Sequence, residues 1–272
     1  MKRILLALSL CVLAWPGAAL ADDSVRQQVS SGPVSAEFSY QRSAGVVKDA
    51  RLKIVRSGRP LVDVELTRVG CGDCPTRRPA GRFVLRSLDG DAEPEILLDL
   101  YTGGAHCCTY SFIYRYDAAG DAYVRQMQWW GNVGYRLVDV DRAAGPEFVT
   151  SDDRFASAFT GYAASANPIR IWRYDRSRML DVTRRFPALI ERDARDLWRL
   201  YLKERKRDVR GVVAAWMADQ ILLGRTEQGW RALETARKRG ELGPDKVEFG
   251  EAFGRRYIAK LRTFLRRTGY LR

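Results

Sequence analysis

Between Val34 and Phe186 the chain sets an apolar residue at nearly every second position, and this period-two pattern constrains its fold more than any other feature. The runs "VSAEFSY", "ARLKIVR" and "PLVDVELTR" come first. They are followed by "RFVLRSL", "EILLDLY", "YSFIYRYD", "AYVRQMQWW", "YRLVDVD", "PEFVTSD", "IRIWRYD" and "MLDVTRRF". Gly, Asp, Asn and Pro fall between them, the residues that turn a chain sharply. Successive side chains on a strand face opposite ways, so each run has one face to bury and one to leave wet. The pattern predicts a mostly β, antiparallel region over residues 33–187. The polar stretch before it, 22–32, is expected to be a flexible N-terminus.

From Ala188 the period changes. "LIERDARDLWRLYLKERKR" puts Ile190, Ala194, Leu197, Trp198, Tyr201 and Leu202 on one helical face. "DVRGVVAAWMADQILLG" follows, with Asp208 placed to cap its start and Gly224 its end. "TEQGWRALETARKRGELG" continues from Thr226. "VEFGEAFGRRYIAKLRTFLRRTGY" then spaces Phe249, Phe253, Tyr257, Leu261 and Leu265 as a helix that stops at Gly269. Short links make antiparallel neighbours, so 188–272 is expected to be an all-α helical bundle.

The formal net charge is +13, and most of the excess lies after Ala188. On the last helix Arg255, Arg256, Lys260, Arg266 and Arg267 form a candidate anion-binding face. The alternative is a solvated face whose long stems cover apolar neighbours.

Met1-Lys2-Arg3, the apolar run Ile4 to Ala14, the break at Pro16-Gly17 and the small residues of Ala19-Leu20-Ala21 predict a signal peptide over residues 1–21. Its apolar run falls short of the ~20 residues that a membrane span needs. The processed chain is therefore expected to be secreted or extracytoplasmic and not an integral membrane protein. In that compartment a basic region meets anionic cell-envelope polymers or lipid head groups rather than nucleic acid.

Four cysteines follow the signal segment: Cys71 and Cys74 in C-G-D-C, and the adjacent Cys107-Cys108. An even count in an exported chain reads as two disulfides, with three connectivities open. A bond between neighbours closes a strained ring, which favours cross-links between the two pairs. Two competing readings are a C-x-x-C redox pair and a zinc site on three cysteines plus His106. Pro75 and Pro79 mark a loop rather than the helix a redox pair requires, and oxidation competes with zinc outside the cytoplasm.

The β region contains an internal repeat. The stretch Ser87-Leu88-Asp89-Gly90-Asp91-Ala92-Glu93-Pro94-Glu95-Ile96-Leu97 aligns with Asp139-Val140-Asp141-Arg142-Ala143-Ala144-Gly145-Pro146-Glu147-Phe148-Val149. Further on, Ile113-Tyr114-Arg115-Tyr116-Asp117 aligns with Ile171-Trp172-Arg173-Tyr174-Asp175. Each copy, about 82–135 and about 136–187, reads as strand, acidic loop, Pro-Glu-apolar strand, turn and an "I-aromatic-R-Y-D" strand.

These copies resemble the FG-GAP or VCBS repeats of integrin-like β-propellers and of many exported bacterial proteins, whose hallmark is a D-x-D-G-D-G-x-x-[DE] loop. The resemblance implies propeller-blade-like sheets and calcium held by alternating carboxylates. The matching positions here are Asp89, Asp91 and Glu95 in one loop and Asp139, Asp141 and Glu147 in the other. Ser87 stands at the first ligand position of the first loop, Ala92 replaces its turn glycine, and Ala143 takes the third ligand position of the second. Each loop thus keeps three of four carboxylates, which implies calcium binding only near millimolar concentration. The alternative is that these carboxylates hydrogen-bond their own loops as Asx-turns. Two copies are too few for a closed propeller of about four or more blades. An open stack is expected, with the N-terminal strands as a third sheet.

Catalytic motifs are sparse. The single histidine, His106, has no serine placed to use it, and no phosphate-cradling loop, zinc-protease helix or dinucleotide fingerprint occurs. A polysaccharide or cell-wall hydrolase would need two carboxyl groups about 5 to 9 Å apart, for which Glu93/Glu95 or Asp152/Asp153 are the candidates. Trp129-Trp130 places one indole on each side of a strand, so one should be exposed and able to stack on a sugar ring. The expected function is that of an exported, non-catalytic binding or interaction protein. It would contact an anionic polymer or glycan of the cell envelope, or another protein, with calcium as its one expected cofactor.

Overall fold

The computed structural model describes residues 23–43, 46–66, 78–104, 107–143, 145–245, 247–248 and 250–272. The signal segment, Cys71, Cys74 and His106 lie outside the described residues, as does the side chain of Cys107. Three four-stranded antiparallel sheets follow one another along the chain. The first contains β1 (Asp23–Ser31), β2 (Val34–Ser43), β3 (Val46–Arg56) and β4 (Arg59–Glu65). The second contains β5 (Arg78–Arg86), β6 (Glu95–Gly104), β7 (Cys107–Asp117) and β8 (Ala122–Gly131). The third contains β9 (Arg136–Val138), β10 (Glu147–Ser151), β11 (Ile169–Asp175) and β12 (Arg178–Asp181). In each sheet every strand pairs with the one before it, and among the described residues none of the three closes into a barrel.

The alternation in the sequence resolves into layers. On β6, Ile96, Leu98 and Leu100 pack with Phe38, Leu52 and Ile54 of the first sheet. Leu97, between them, turns the other way and packs with Phe148 and Tyr174 of the third. Strand β7 repeats the division, with Tyr110, Phe112 and Tyr114 on one side and Ile113 on the other. The second sheet is therefore buried on both faces, which is why "EILLDLY" reads as a nearly continuous apolar run. On the far face of the third sheet, Val149 and Ile171 pack with Val182 and Phe186.

Four helices follow: α1 (Pro187–Glu204), α2 (Arg210–Leu222), α3 (Thr226–Lys238) and α4 (Gly254–Arg267). Helix α2 is buried almost all round, as its "GVVAAWMADQIL" composition requires of a central helix. The β10–β11 connection sends Phe155 and Phe159 into the helical core, where Phe155 meets Phe264 and Tyr270 edge-on. Polar ties reinforce the junction. Tyr270 Oη donates to Asp152 Oδ2 at 3.0 Å, and Ile169 N–H donates to Asp193 Oδ2 at 2.9 Å.

Two local expectations are corrected. The start expected to be flexible is strand β1, paired with β2 from Asp23↔Arg42 to Ser31↔Val34. Only Val25 and Val29 pack against the core, and both are partly buried, so backbone pairing does most of the ordering and the apolar signal is weak. The last helix begins at Gly254 rather than near Val247, after a small hairpin of β13 (Val247–Glu248) and β14 (Glu251–Ala252). Gly254 has φ +54°, and a Cβ there would lie 2.1 Å from Asp245 Oδ1, which instead accepts the Arg255 N–H at 2.6 Å. The chain turns at that point and Asp245 caps the helix.

The second and third sheets also meet through their loops. Gly145 has φ +85°, and a Cβ on it would come within 2.5 Å of the Leu88 carbonyl oxygen. Gly32 has φ +54° but opens on free space. Gly32→Ala is expected to cost about 1 kcal/mol, the left-handed penalty alone. Gly145→Ala adds a backbone clash and should cost about 3 kcal/mol. Denaturant midpoints of the two variants check the difference.

Candidate functional site

Both acidic loops are built by the same bonds at aligned positions. Glu95 Oε2 accepts the Leu88 N–H at 2.8 Å, and Glu147 Oε2 accepts the Val140 N–H at 2.9 Å. Asp89 Oδ1 accepts from Asp91 N–H at 3.2 Å, and Asp141 Oδ1 from Ala143 N–H at 3.1 Å. Ser87 Oγ accepts from Gly90 N–H at 3.1 Å, just as Asp139 Oδ1 accepts from Arg142 N–H at 2.8 Å. These are Asx- and Ser-turns, in which the side chain replaces a backbone acceptor.

An arginine completes each loop. Arg115 donates through Nε to Asp89 Oδ2 at 3.1 Å and through Nη2 to Asp91 Oδ2 at 2.9 Å, with Glu95 Oε1 at 3.7 Å from Nε. Arg173 donates through Nη2 to Asp141 Oδ2 at 2.6 Å and through Nε to Glu147 Oε1 at 3.0 Å. Strand register explains the placement, because Glu147 and Arg173 are direct cross-strand partners on β10 and β11. Arg115 lies one residue beyond the Ile96↔Tyr114 pair, at the corresponding place.

In each loop three carboxylates bring oxygens within 4.8 Å of one another, a spacing that could suit a cation. In the first loop, however, the oxygens that would turn toward an ion, Asp89 Oδ2, Asp91 Oδ2 and Glu95 Oε1, already face the Arg115 guanidinium. In the second, Asp141 Oδ2 and Glu147 Oε1 face Arg173. The donor sets do not fit a calcium ion with the arginines in place.

The copies differ in charge balance. The guanidinium of Arg173, bonded to Asp141, holds that carboxyl below its ordinary range. In the first loop one guanidinium faces three carboxyls. Burial, reinforced by Asp89 and Asp91, pushes Glu95 up to about 8.

A second candidate feature is a groove where the third sheet meets the helices. A cavity of about 390 Å³ is lined by Trp129, Trp172 and Asp153. A neighbouring cavity of about 430 Å³ is lined by Asp181, Arg184, Arg185 and Tyr270. Arg154 and Arg170 line both. Arg154 also lines a third cavity, of about 560 Å³, together with Lys260 and Arg267.

One buried carboxylate orients the two shared arginines. Asp152 accepts from Arg154 Nε at 2.8 Å and from Arg170 Nη1 at 3.4 Å, besides Tyr270. Burial pushes its carboxyl up, but the two guanidiniums and the tyrosine outweigh burial and hold it below its usual value. Arg170 also lies 4.5 Å from the centre of the Trp172 ring. Arg184 reaches the carbonyls of Ile221 and Leu222 at the end of α2. Asp153 behaves oppositely to its neighbour: burial pushes it up, and its Oδ1 is buried without a hydrogen-bond partner.

The tryptophan pair divides as strand geometry requires. Trp130 is buried and donates to Ser111 Oγ at 2.7 Å, within a network containing Asp99 and Tyr135. Trp129 is 38% exposed and lines the groove. Of the candidate basic residues on the last helix, Lys260 and Arg267 line the third cavity, which shares Arg154 with the groove. Arg255 pairs with Asp245 at 3.1 Å, and Arg256 and Arg266 are exposed elsewhere. Glu93 pairs with Arg56 at 3.1 Å, while Glu95 is fully buried. Cys108 is disulfide-bonded, and every cysteine that could be its partner has a side chain outside the described residues.

Comparison with known proteins yields limited likenesses. A family model described as the sll0997 C-terminal domain matches residues 190–269, the helical part. A probable thylakoid lumen protein of Synechocystis, sll0997, is 29% identical over 217 residues, which cover 76% of this chain and 61% of that protein. An uncharacterized protein of Sinorhizobium fredii, y4bJ, is 32% identical over 211 residues, 64% of this chain and 33% of that protein. The chain spans less than two thirds of the length of either relative. No solved structure matches it.

The raised Glu95 carries a pH signature. Its folded value near 8 lies above the ordinary 4.5, so between these the native state holds more protons than the unfolded chain. Its contribution to stability is complete below about pH 4.5 and is lost as pH rises through about 8. Glu95→Gln should flatten that fall relative to the parent protein, as read from denaturant midpoints between pH 5 and about 8.5.

Proposed function

We propose that the protein is an exported, non-catalytic binding protein whose groove between the third sheet and the helices holds an anionic glycan of the cell envelope. The observation that carries this reading is that Arg154 and Arg170 line two adjoining cavities, so a tryptophan-walled site and an arginine-walled site form one cleft. An indole face suits the apolar side of a sugar ring. Guanidiniums suit carboxylate, sulfate or phosphate groups along the same chain.

The address is supported by the signal-like segment at residues 1–21 and by the name of the Synechocystis relative, which places that protein in the thylakoid lumen. Among the described residues no helix is long and apolar enough to cross a membrane. We read the second and third sheets as degenerate FG-GAP or VCBS blades, a reading supported by the repeated loop bonds. A hydrolytic role for the Asp152/Asp153 pair is disfavoured because Asp152 is committed to two arginines and a tyrosine.

Retention on immobilised alginate tests the proposal, with uncharged dextran and polyphosphate as controls. The protein should bind alginate in a salt-sensitive manner, because exposed charges are screened beyond about 8 Å at physiological ionic strength. Trp129→Ala and Arg184→Ala should each weaken binding about tenfold. Arg256→Ala with Arg266→Ala should leave it unchanged. Equal retention on polyphosphate, indifferent to Trp129→Ala, would reduce the groove to a general basic surface.

A further inference from the structure

We propose that Arg115 and Arg173 occupy the place that calcium holds in the repeats these copies resemble, making each acidic loop a metal-independent corner closed by a cation of its own chain. This inference stands apart from the groove and its ligand.

Three observations carry it. The first is repetition within one molecule. Both "I-aromatic-R-Y-D" strands supply an arginine in the same frame, and both arginines reach the second acidic position of their loop, Asp89 or Asp141. Two copies with different loop sequences keep this contact.

The second is the pattern of what was lost. A calcium loop needs oxygens at alternating positions around a hard, multidentate cation. Here Ser87 replaces a carboxylate yet makes the same turn bond as Asp139. Where the first loop has Asp91, the second has Ala143, and there Arg173 takes Glu147 as its other acceptor. A guanidinium fork needs only two acceptors side by side, through Nε and Nη2, and each loop supplies that minimum. The departures from the calcium pattern are those an arginine tolerates.

The third is burial. The side chain of Arg173 is 9% exposed and that of Glu147 is 0% exposed. A guanidinium held so tightly does not swing aside at small cost, because leaving would strand a buried carboxylate. The first corner is looser. Arg115 is 25% exposed, and Glu95 Oε1 has no hydrogen-bond partner.

The two corners therefore respond unequally to loss of the arginine. Arg173→Ala leaves Asp141 and Glu147 unopposed except for Arg185, 4.0 Å from Asp141. Arg115→Ala leaves three carboxyls facing each other. That vacated site, with the most oxygens and with Arg56 already engaged by Glu93 at 3.1 Å, should accept calcium best.

Thermal melts of the full chain in chelator, magnesium and calcium test the proposal, alongside a calcium titration of the parent protein by calorimetry. The parent should shift by less than about 1 °C in about 10 mM calcium, since an arginine already fills each loop. Arg115→Ala and Arg173→Ala should melt several degrees lower in chelator. Arg115→Ala should regain several degrees in calcium but not in magnesium, which demands smaller and stricter geometry. Adding Asp89→Asn to that variant should abolish the gain.

A parent protein that calcium stabilises by several degrees would overturn the proposal. So would an Arg115→Ala variant that folds and ignores calcium, because the arginine would then not stand in the ion's place. Should the variants fail to fold, the calorimetric titration decides alone: saturable calcium binding by the parent near or below 1 mM overturns the proposal, and its absence supports it.

Discussion

The pairing of one arginine with the carboxylates of its own repeat is the interaction on which the arrangement of the sheets depends. Each acidic loop is a string of side-chain-to-backbone turns that would carry an uncompensated negative charge without a cation. The arginine arrives from the neighbouring long strand, so closing the charge also fixes the loop against its sheet. Fixed loops can then touch, and Gly145 of one lies against the Leu88 carbonyl of the other. Leu88 itself is fully buried with Leu97, Phe148 and Tyr174 between the second and third sheets. Charge neutralisation and apolar packing thus meet at the same corner.

The groove follows from a comparable economy at the next layer. Asp152 is buried at the end of β10 and collects Arg154, Arg170 and the hydroxyl of Tyr270. One carboxylate thereby orients two cations along a cleft and ties the C-terminal segment to the third sheet. Phe155 and Phe159, a few residues on, anchor the same connection in the helical core. The apolar anchor and the buried carboxylate thus hold the third sheet and the helices together beneath the open side of the groove.

Much of this architecture was legible in the residues. Alternation marked the strands, because one apolar face per strand is what a stack of sheets requires. The change to helical spacing from Ala188 marked the second part. The aligned loops identified the acidic corners, and Trp129-Trp130 identified one exposed indole. Strand β1 was not legible, since an edge strand held mainly by backbone bonds sends only Val25 and Val29 partway into the core. Nor was the hairpin before α4, where Gly250 and Gly254 take left-handed conformations. The closing arginines stood in plain view in "IYRYD" and "IWRYD", but their role depends on cross-strand register, which single-chain spacing does not reveal. The groove depends on residues as far apart as Trp129, Arg184 and Tyr270, and only the fold brings them together. For the same reason the basic face of α4 divides, with Lys260 and Arg267 lining the cavity beside Arg154 while Arg255 turns to Asp245.

The most direct measurement of the central claim is a crystal structure of the protein grown in millimolar calcium. The account predicts the guanidinium groups of Arg115 and Arg173 hydrogen-bonded to Asp89 and Asp141, with no metal between the carboxylates. A calcium ion coordinated by Asp89, Asp91 and Glu95, or by Asp139, Asp141 and Glu147, with the arginine displaced outward, would contradict it.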